Sequence, residues 1–173
     1  MSEPTDTITI RVPKSLKEKL ELLSTKNQVN LNLLINQILS KNVQWDEHLT
    51  KLGWLQFDPS SVKEIFKHLD MKEINEIAIS IKNNVINAIK FIYGESTLKN
   101  TVDFIEMWLR STNTPFRHIE DEKAHNFFIK HNIGKNWSLF ASKVIEEFIQ
   151  EIGFKIENIS AENDCYSFSI LKN

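Results

Sequence analysis

Three residues at every second position near the N-terminus, Thr7, Thr9 and Arg11, carry two hydroxyls and a guanidinium. An extended segment turns all three to one side. A guanidinium donates two parallel hydrogen bonds, and guanine O6 and N7 form a matching acceptor pair; threonine can meet a base edge or a thymine methyl group. A second group is Asn30-Leu31-Asn32. A helix starting there would present unbonded N–H groups and the positive end of its dipole, a setting suited to a phosphate.

Further along, His118 and His125 flank the acidic stretch Glu120-Asp121-Glu122-Lys123. If the residues are a hairpin with Asp121-Glu122 at its tip, the two imidazoles lie directly opposed, about 5 Å apart at Cα. Two histidines are half of a metal site, and an acidic residue would have to complete it. His131 shares that face but lies six residues on, roughly 20 Å away along the strand. Ordinary sheet histidines, sensitive to pH, are the competing expectation. Cys165, the only cysteine, has no basic cluster beside it and reads as a packed or edge thiol. Trp108, Phe116, Phe127, Phe128, Trp137, Phe140, Tyr166 and Phe168 are candidates to line an effector pocket, although residues at such spacing more often form core.

The elements that must position these groups follow from periodicity. Residues 7–12 alternate, with Ile8, Ile10 and Val12 opposite Thr7, Thr9 and Arg11, which predicts a strand. Pro13 ends it and presets entry to a helix. Leu16, Leu20 and Leu23 mark one amphipathic helix; Leu31, Leu34, Ile35, Ile38 and Leu39 mark a second, with Asn30 as N-cap. One short strand and two short helices cannot close a core, so this unit requires a partner.

Residues 46–57 are less regular and read as a joint. Asp58-Pro59-Ser60-Ser61 opens a helix, Asp70 with Glu73 offers a capping box, and a long apolar repeat runs from Ile74 to Ile92 before Gly94. A helix is expected over 98–110. The last third reads as a hairpin (116–119 and 124–133), a helix over 137–152, and a second hairpin (154–160 and 165–171). The expected class is therefore α+β: a strand-plus-two-helix unit in residues 1–45, the joint, and in residues 58–173 a helical segment followed by β-β-α-β-β with an antiparallel sheet packed on helix.

The first 45 residues resemble the ribbon-helix-helix family of the Arc/MetJ/CopG type. The resemblance is carried by Thr7-Ile-Thr-Ile-Arg-Val-Pro13, then Leu16, Leu20 and Leu23, then Val29-Asn30-Leu-Asn-Leu-Leu34. It implies a homodimer whose paired strands enter the major groove of double-stranded DNA. Base contacts would come from Thr7, Thr9 and Arg11, and phosphate contacts from Lys14, Asn30, Leu31 and Asn32. Two-fold symmetry then implies inverted or tandem half-sites. Many members carry glycine between the helices, where this chain has Asn27-Gln28; asparagine tolerates the left-handed conformation. Nickel-responsive members place histidines and a cysteine in a C-terminal domain, but the spacing here does not reproduce theirs.

Residues 1–45 hold six Lys/Arg against four Asp/Glu, and the remainder fifteen against nineteen. The first segment is thus the one suited to phosphates, without polycationic character. Four glycines in 173 residues leave no Gly-rich phosphate loop, and no metalloprotease or hydrolase signature is present; enzymatic activity is not expected. No apolar run approaches membrane-spanning length, the first residues lack signal-peptide character, and one cysteine suits a reducing compartment. A cytoplasmic transcriptional regulator is expected, dimeric or of higher order. No cofactor is expected, and the C-terminal domain would sense a small molecule or metal or drive assembly. The alternative is a dimeric interaction protein, antitoxin-like or a scaffold, whose N-terminal unit only dimerises.

Overall fold

The computed structural model describes residues 5–172. The chain divides into two compact units, Met1–Asp46 and Glu47–Asn173, and its class is mixed α+β.

In the first unit, α1 (Lys14–Lys26) and α2 (Leu31–Lys41) are followed by a π-helical turn, Asn42–Asp46. Pro13, at φ −55° and ψ 144°, stands immediately before α1, and its carbonyl accepts from the N–H groups of Leu16 and Lys17. Pro13 needs no N–H acceptor of its own, so the helix starts at no cost there. α1 ends in a Schellman arrangement: Val29 N–H donates to Ser24 O and Gln28 N–H to Thr25 O. The left-handed residue in this turn is Gln28, at φ 57°, while Asn27 stays right-handed at φ −85°. The special conformation thus falls one residue later than asparagine chemistry suggested. Asn30 caps α2 as expected, its side chain accepting from Leu33 N–H at 2.8 Å. Among the described residues only Ser24, Leu34 and Trp45 of this unit are buried.

The expected strand over residues 7–12 is not formed, and the first regular element is α1. A strand exists only through ladder hydrogen bonds to a neighbour, and among the described residues no other segment pairs with these six. All six are exposed, including Ile8, Ile10 and Val12.

The second unit contains α3 (Glu47–Leu52), α4 (Pro59–Lys67), α5 (Met71–Tyr93), α6 (Leu98–Ser111), β1 (Phe116–Glu120), β2 (Ala124–Lys130), α7 (Lys135–Glu151), β3 (Ile156–Ala161) and β4 (Cys165–Leu171). A short helix therefore occupies part of the segment read as an irregular joint. Helix starts follow cap chemistry: Asp58 accepts from the N–H groups of Ser60 and Ser61, and Asp70 and Glu73 form a complete capping box, with both bonds at 2.8 Å. Thr97 caps α6 by accepting from Asn100 N–H. The C-terminal end of α4 is held from elsewhere in the unit, since the Asn136 amide donates to the carbonyls of Phe66 and Leu69 at 2.9 Å each.

The sheet is antiparallel throughout, in the order β1-β2-β4-β3. Its inward face follows the two-residue period, with Phe127 and Ile129 of β2 and Tyr166, Phe168 and Ile170 of β4 buried, and α7 packs against β3 and β4. On α7 the buried stripe is Ala141, Val144, Ile145, Phe148 and Ile149, and α5 contributes Ile74, Ala78, Ile86 and Ile89. β3 carries a bulge between Glu157 and Ser160, where Asn158 takes φ 54°. Among the described residues no helix is long and apolar enough to cross a membrane.

Candidate functional site

In the first unit, Thr7, Thr9 and Arg11 are exposed beside Ile8, Ile10 and Val12. Arg11 has no ion pair among the described residues. Lys14 opens α1 and reaches Glu18 at 3.9 Å across an exposed surface; Lys17 and Glu21 pair likewise at 3.3 Å. Such exposed pairs hold their cations weakly. Leu31 and Asn32 occupy the first two positions of α2, where the helical ladder leaves backbone N–H groups without an internal acceptor. Asn30 is occupied as the cap, so its side-chain oxygen faces the helix N–H and its amide remains as a donor.

The first hairpin brings His118 and His125 together, but not in the expected register. Phe127 stands opposite His118, and Glu120 opposite His125. The tip is Glu122-Lys123 instead of Asp121-Glu122, because the Asp121 carboxylate accepts from the N–H groups of Lys123 (2.8 Å) and Ala124 (2.9 Å). That Asx-type turn moves the tip by one residue. A one-residue move of the tip changes each pairing by two, which preserves the face. The histidines are therefore diagonal neighbours on the inward side.

There they bond to each other: His118 Nε2 and His125 Nδ1 are 3.0 Å apart, and His118 Nδ1 lies 2.6 Å from Glu106 Oε1. Glu106 also accepts from Arg110 at 2.9 Å. With the carboxylate ionised, His118 Nδ1 carries a hydrogen, so in neutral His118 the Nε2 accepts and His125 donates. Burial pushes the Glu106 carboxyl up, but hydrogen bonds from Arg110 and His118 outweigh it and hold the group below its ordinary value. Burial pushes His125 down, opposed by the nearby Glu120 charge. The His118 ring stacks on Phe127, centroids 4.3 Å apart, and Phe127 stacks on Phe168 at 5.1 Å. Both ring nitrogens of His118 are engaged by protein, and among the described residues no three His, Cys, Asp or Glu side chains converge as metal ligands.

His131 stands apart from this pair. It is buried, bonded through Nε2 to the Ser138 hydroxyl at 2.8 Å, and accepts from Ile133 N–H at Nδ1; burial pushes it below the usual imidazole value. Cys165 is exposed and lies on an interior strand of the sheet, so it is neither packed nor at an edge.

Of the eight aromatic residues singled out in the sequence, Trp108, Trp137 and Phe140 line a cavity of about 390 Å³ among α5, α6 and α7. Phe127, Tyr166 and Phe168 are core, and Phe128 is exposed on the sheet's outer face. Trp54, Phe104 and Phe148 line the same cavity but were not among the eight. Phe148 and Phe104 are buried positions of their helices, Phe104 between the buried Val102 and Ile105. Nothing in a single sequence joins such residues across three helices. No family model matches this chain, nor does any curated protein or solved structure.

Proposed function

We propose that the chain is a homodimeric, sequence-specific DNA-binding transcriptional regulator that places a two-stranded ribbon, one strand from each copy, in the major groove. The observation that carries this reading is the exposure of Ile8, Ile10 and Val12 in a segment with no pairing partner among the described residues, immediately before two helices that also leave Leu16, Leu23, Ile38 and Leu39 exposed. A second copy pairing along residues 7–12 supplies the ladder and covers the apolar side. The opposite side then carries Thr7, Thr9 and Arg11 towards base edges, while Lys14 and the first turn of α2, from Asn30 to Asn32, meet phosphates. The larger unit serves to sense an effector or to drive higher assembly.

A second reading has one observation in its favour. Residues 1–45 hold only six Lys/Arg against four Asp/Glu, a small cationic surplus for a phosphate backbone. In that reading the ribbon only dimerises, as in an antitoxin-like or scaffold protein.

The two separate in a band-shift or anisotropy titration against the DNA upstream of the chain's own coding sequence, across a salt series, with Arg11→Ala beside the unaltered protein. A bidentate contact to guanine predicts a loss of about 1–3 kcal/mol in specific affinity. No preference for any sequence over competitor DNA at moderate salt would overturn the regulator reading and leave the dimeric interaction protein.

A further inference from the structure

From the cavity of the second unit, we infer a binding site for an uncharged, flat aromatic small molecule carrying one hydrogen-bonding group. Six aromatic side chains wall the cavity: Trp54 before α4, Phe104 and Trp108 from α6, and Trp137, Phe140 and Phe148 from α7. Rings contributed from several directions give an aromatic ligand both stacked and edge-on contacts. Asn84, on α5, is the one lining residue with a polar side-chain head other than the indole N–H groups. It is exposed, so it sits at the mouth, where its NH2 can donate and its carbonyl oxygen accept to orient the ligand. A pocket mostly apolar with few convergent polar groups is the usual form of a small-molecule site.

Size selects among the possible occupants. Native interiors hold few voids larger than a water molecule, and about 390 Å³ far exceeds that. Water finds few partners on such a surface. The volume lies in the range of small-molecule pockets.

Charge selects the ligand class. No ionisable residue lines the cavity. The nearest cations along α5 and α7 are committed: Lys82 lies 2.7 Å from Glu151 and 3.8 Å from Glu147, and Lys143 lies 2.9 Å from both Glu146 and Glu147. A carboxylate or phosphate buried here would lack a counter-charge, and a cation would lack an acceptor, each at a high desolvation cost. Fatty acids and anionic metabolites are thereby disfavoured against neutral aromatics.

The site does not depend on the DNA reading, although a sensing role for the second unit would give it a use. Its test uses the full chain without DNA, so failure of either idea leaves the other intact. N-phenylnaphthylamine, a neutral two-part aromatic with one N–H, is titrated into the protein while its own emission and the quenching of tryptophan emission are followed. One molecule per chain should bind saturably in the micromolar range, and the sulfonated analogue anilinonaphthalene sulfonate should bind more weakly. Two substitutions fill the cavity from facing helices: Ala141→Phe on α7 and Val85→Phe on α5. Each should weaken the neutral probe by about tenfold or more while near-ultraviolet circular dichroism is retained. Val85 is only half buried, so its variant stays informative if the added ring at position 141 prevents folding. Absence of saturable binding, undiminished binding in a folded filled variant, or tighter binding of the sulfonate would each overturn the inference.

Discussion

The ribbon dimer makes a quantitative prediction at Ile10. This side chain is 54% exposed in the single chain, and full burial of an isoleucine stabilises by about 2.5 kcal/mol. Covering the exposed part in a paired ribbon therefore contributes about 1.4 kcal/mol per chain, or about 3 kcal/mol in a two-fold dimer. Ile10→Asp removes that contribution and places a carboxylate in the same apolar layer, where desolvation adds to the loss. The dimer Kd should rise by about 100-fold or more. The companion Thr9→Asp changes the opposite side, so it should leave dimerisation unaltered and weaken DNA binding by repulsion from phosphates. Sedimentation equilibrium over a wide concentration range reads the first effect, and anisotropy with labelled DNA the second. The reasoning is refuted if Ile10→Asp dimerises within about threefold of the unaltered protein, or if the latter is still a monomer at about 100 µM.

Two further predictions concern stability. His125 and His131 both have folded values pushed below 6.5 by burial, so the unfolded chain binds protons more readily than the folded one. Their contribution is complete above about pH 6.5 and is lost as pH falls through the depressed folded values; Glu106, held low, adds a second loss below about pH 4.5. The melting temperature should therefore fall on acidification from neutrality, and His125→Gln with His131→Gln should flatten the upper window; an unchanged slope would count against both burial assignments. At Gln28, whose φ of 57° suits glycine far better than a side chain bearing a Cβ, Gln28→Gly should stabilise the first unit by about 1 kcal/mol, read as a higher denaturation midpoint. Destabilisation there would show that the Gln28 side chain contributes more than its backbone costs.

Much of the second unit was legible because its signals are local. Asp70 and Glu73 announce a helix start, Gly94 and Gly153 mark ends, and the alternation of Tyr166, Phe168 and Ile170 with serines gives β4 and its buried face directly. The register of the first hairpin was not legible, since it turns on which of two adjacent residues at the tip takes the Asx position; Asp121 does so by bonding two N–H groups. That choice decides whether His118 faces His125 squarely or diagonally, and with it whether the pair points at a shared ion or at each other. Glu106, the third member of that chain, was invisible because its helix gives no reason to single it out until the sheet lies beneath it. The cavity was half legible for the same reason: individual rings stand out in a sequence, but their convergence is a tertiary fact.

The expected strand at residues 7–12 is a different case. Its alternation is as regular as that of β4, yet β4 has two neighbours in the sheet and residues 7–12 have none among the described residues. A unit this small rarely builds a core worth more than about 3–5 kcal/mol, and among the described residues the first unit buries only Ser24, Leu34 and Trp45. Its apolar groups at Ile8, Ile10, Leu23, Ile38 and Leu39 stay exposed in the single chain, and the proposed second copy would cover them. A partner that served for dimerisation alone would place demands on that apolar side and none on the other. The other side nonetheless presents hydroxyl, hydroxyl and guanidinium at the spacing of successive outward positions, beside a helix start with N–H groups to spare. A dimer interface alone would accept any polar residues on that side, whereas the proposed DNA recognition uses these three, so the substitution of Arg11 and not of Ile10 separates the two readings.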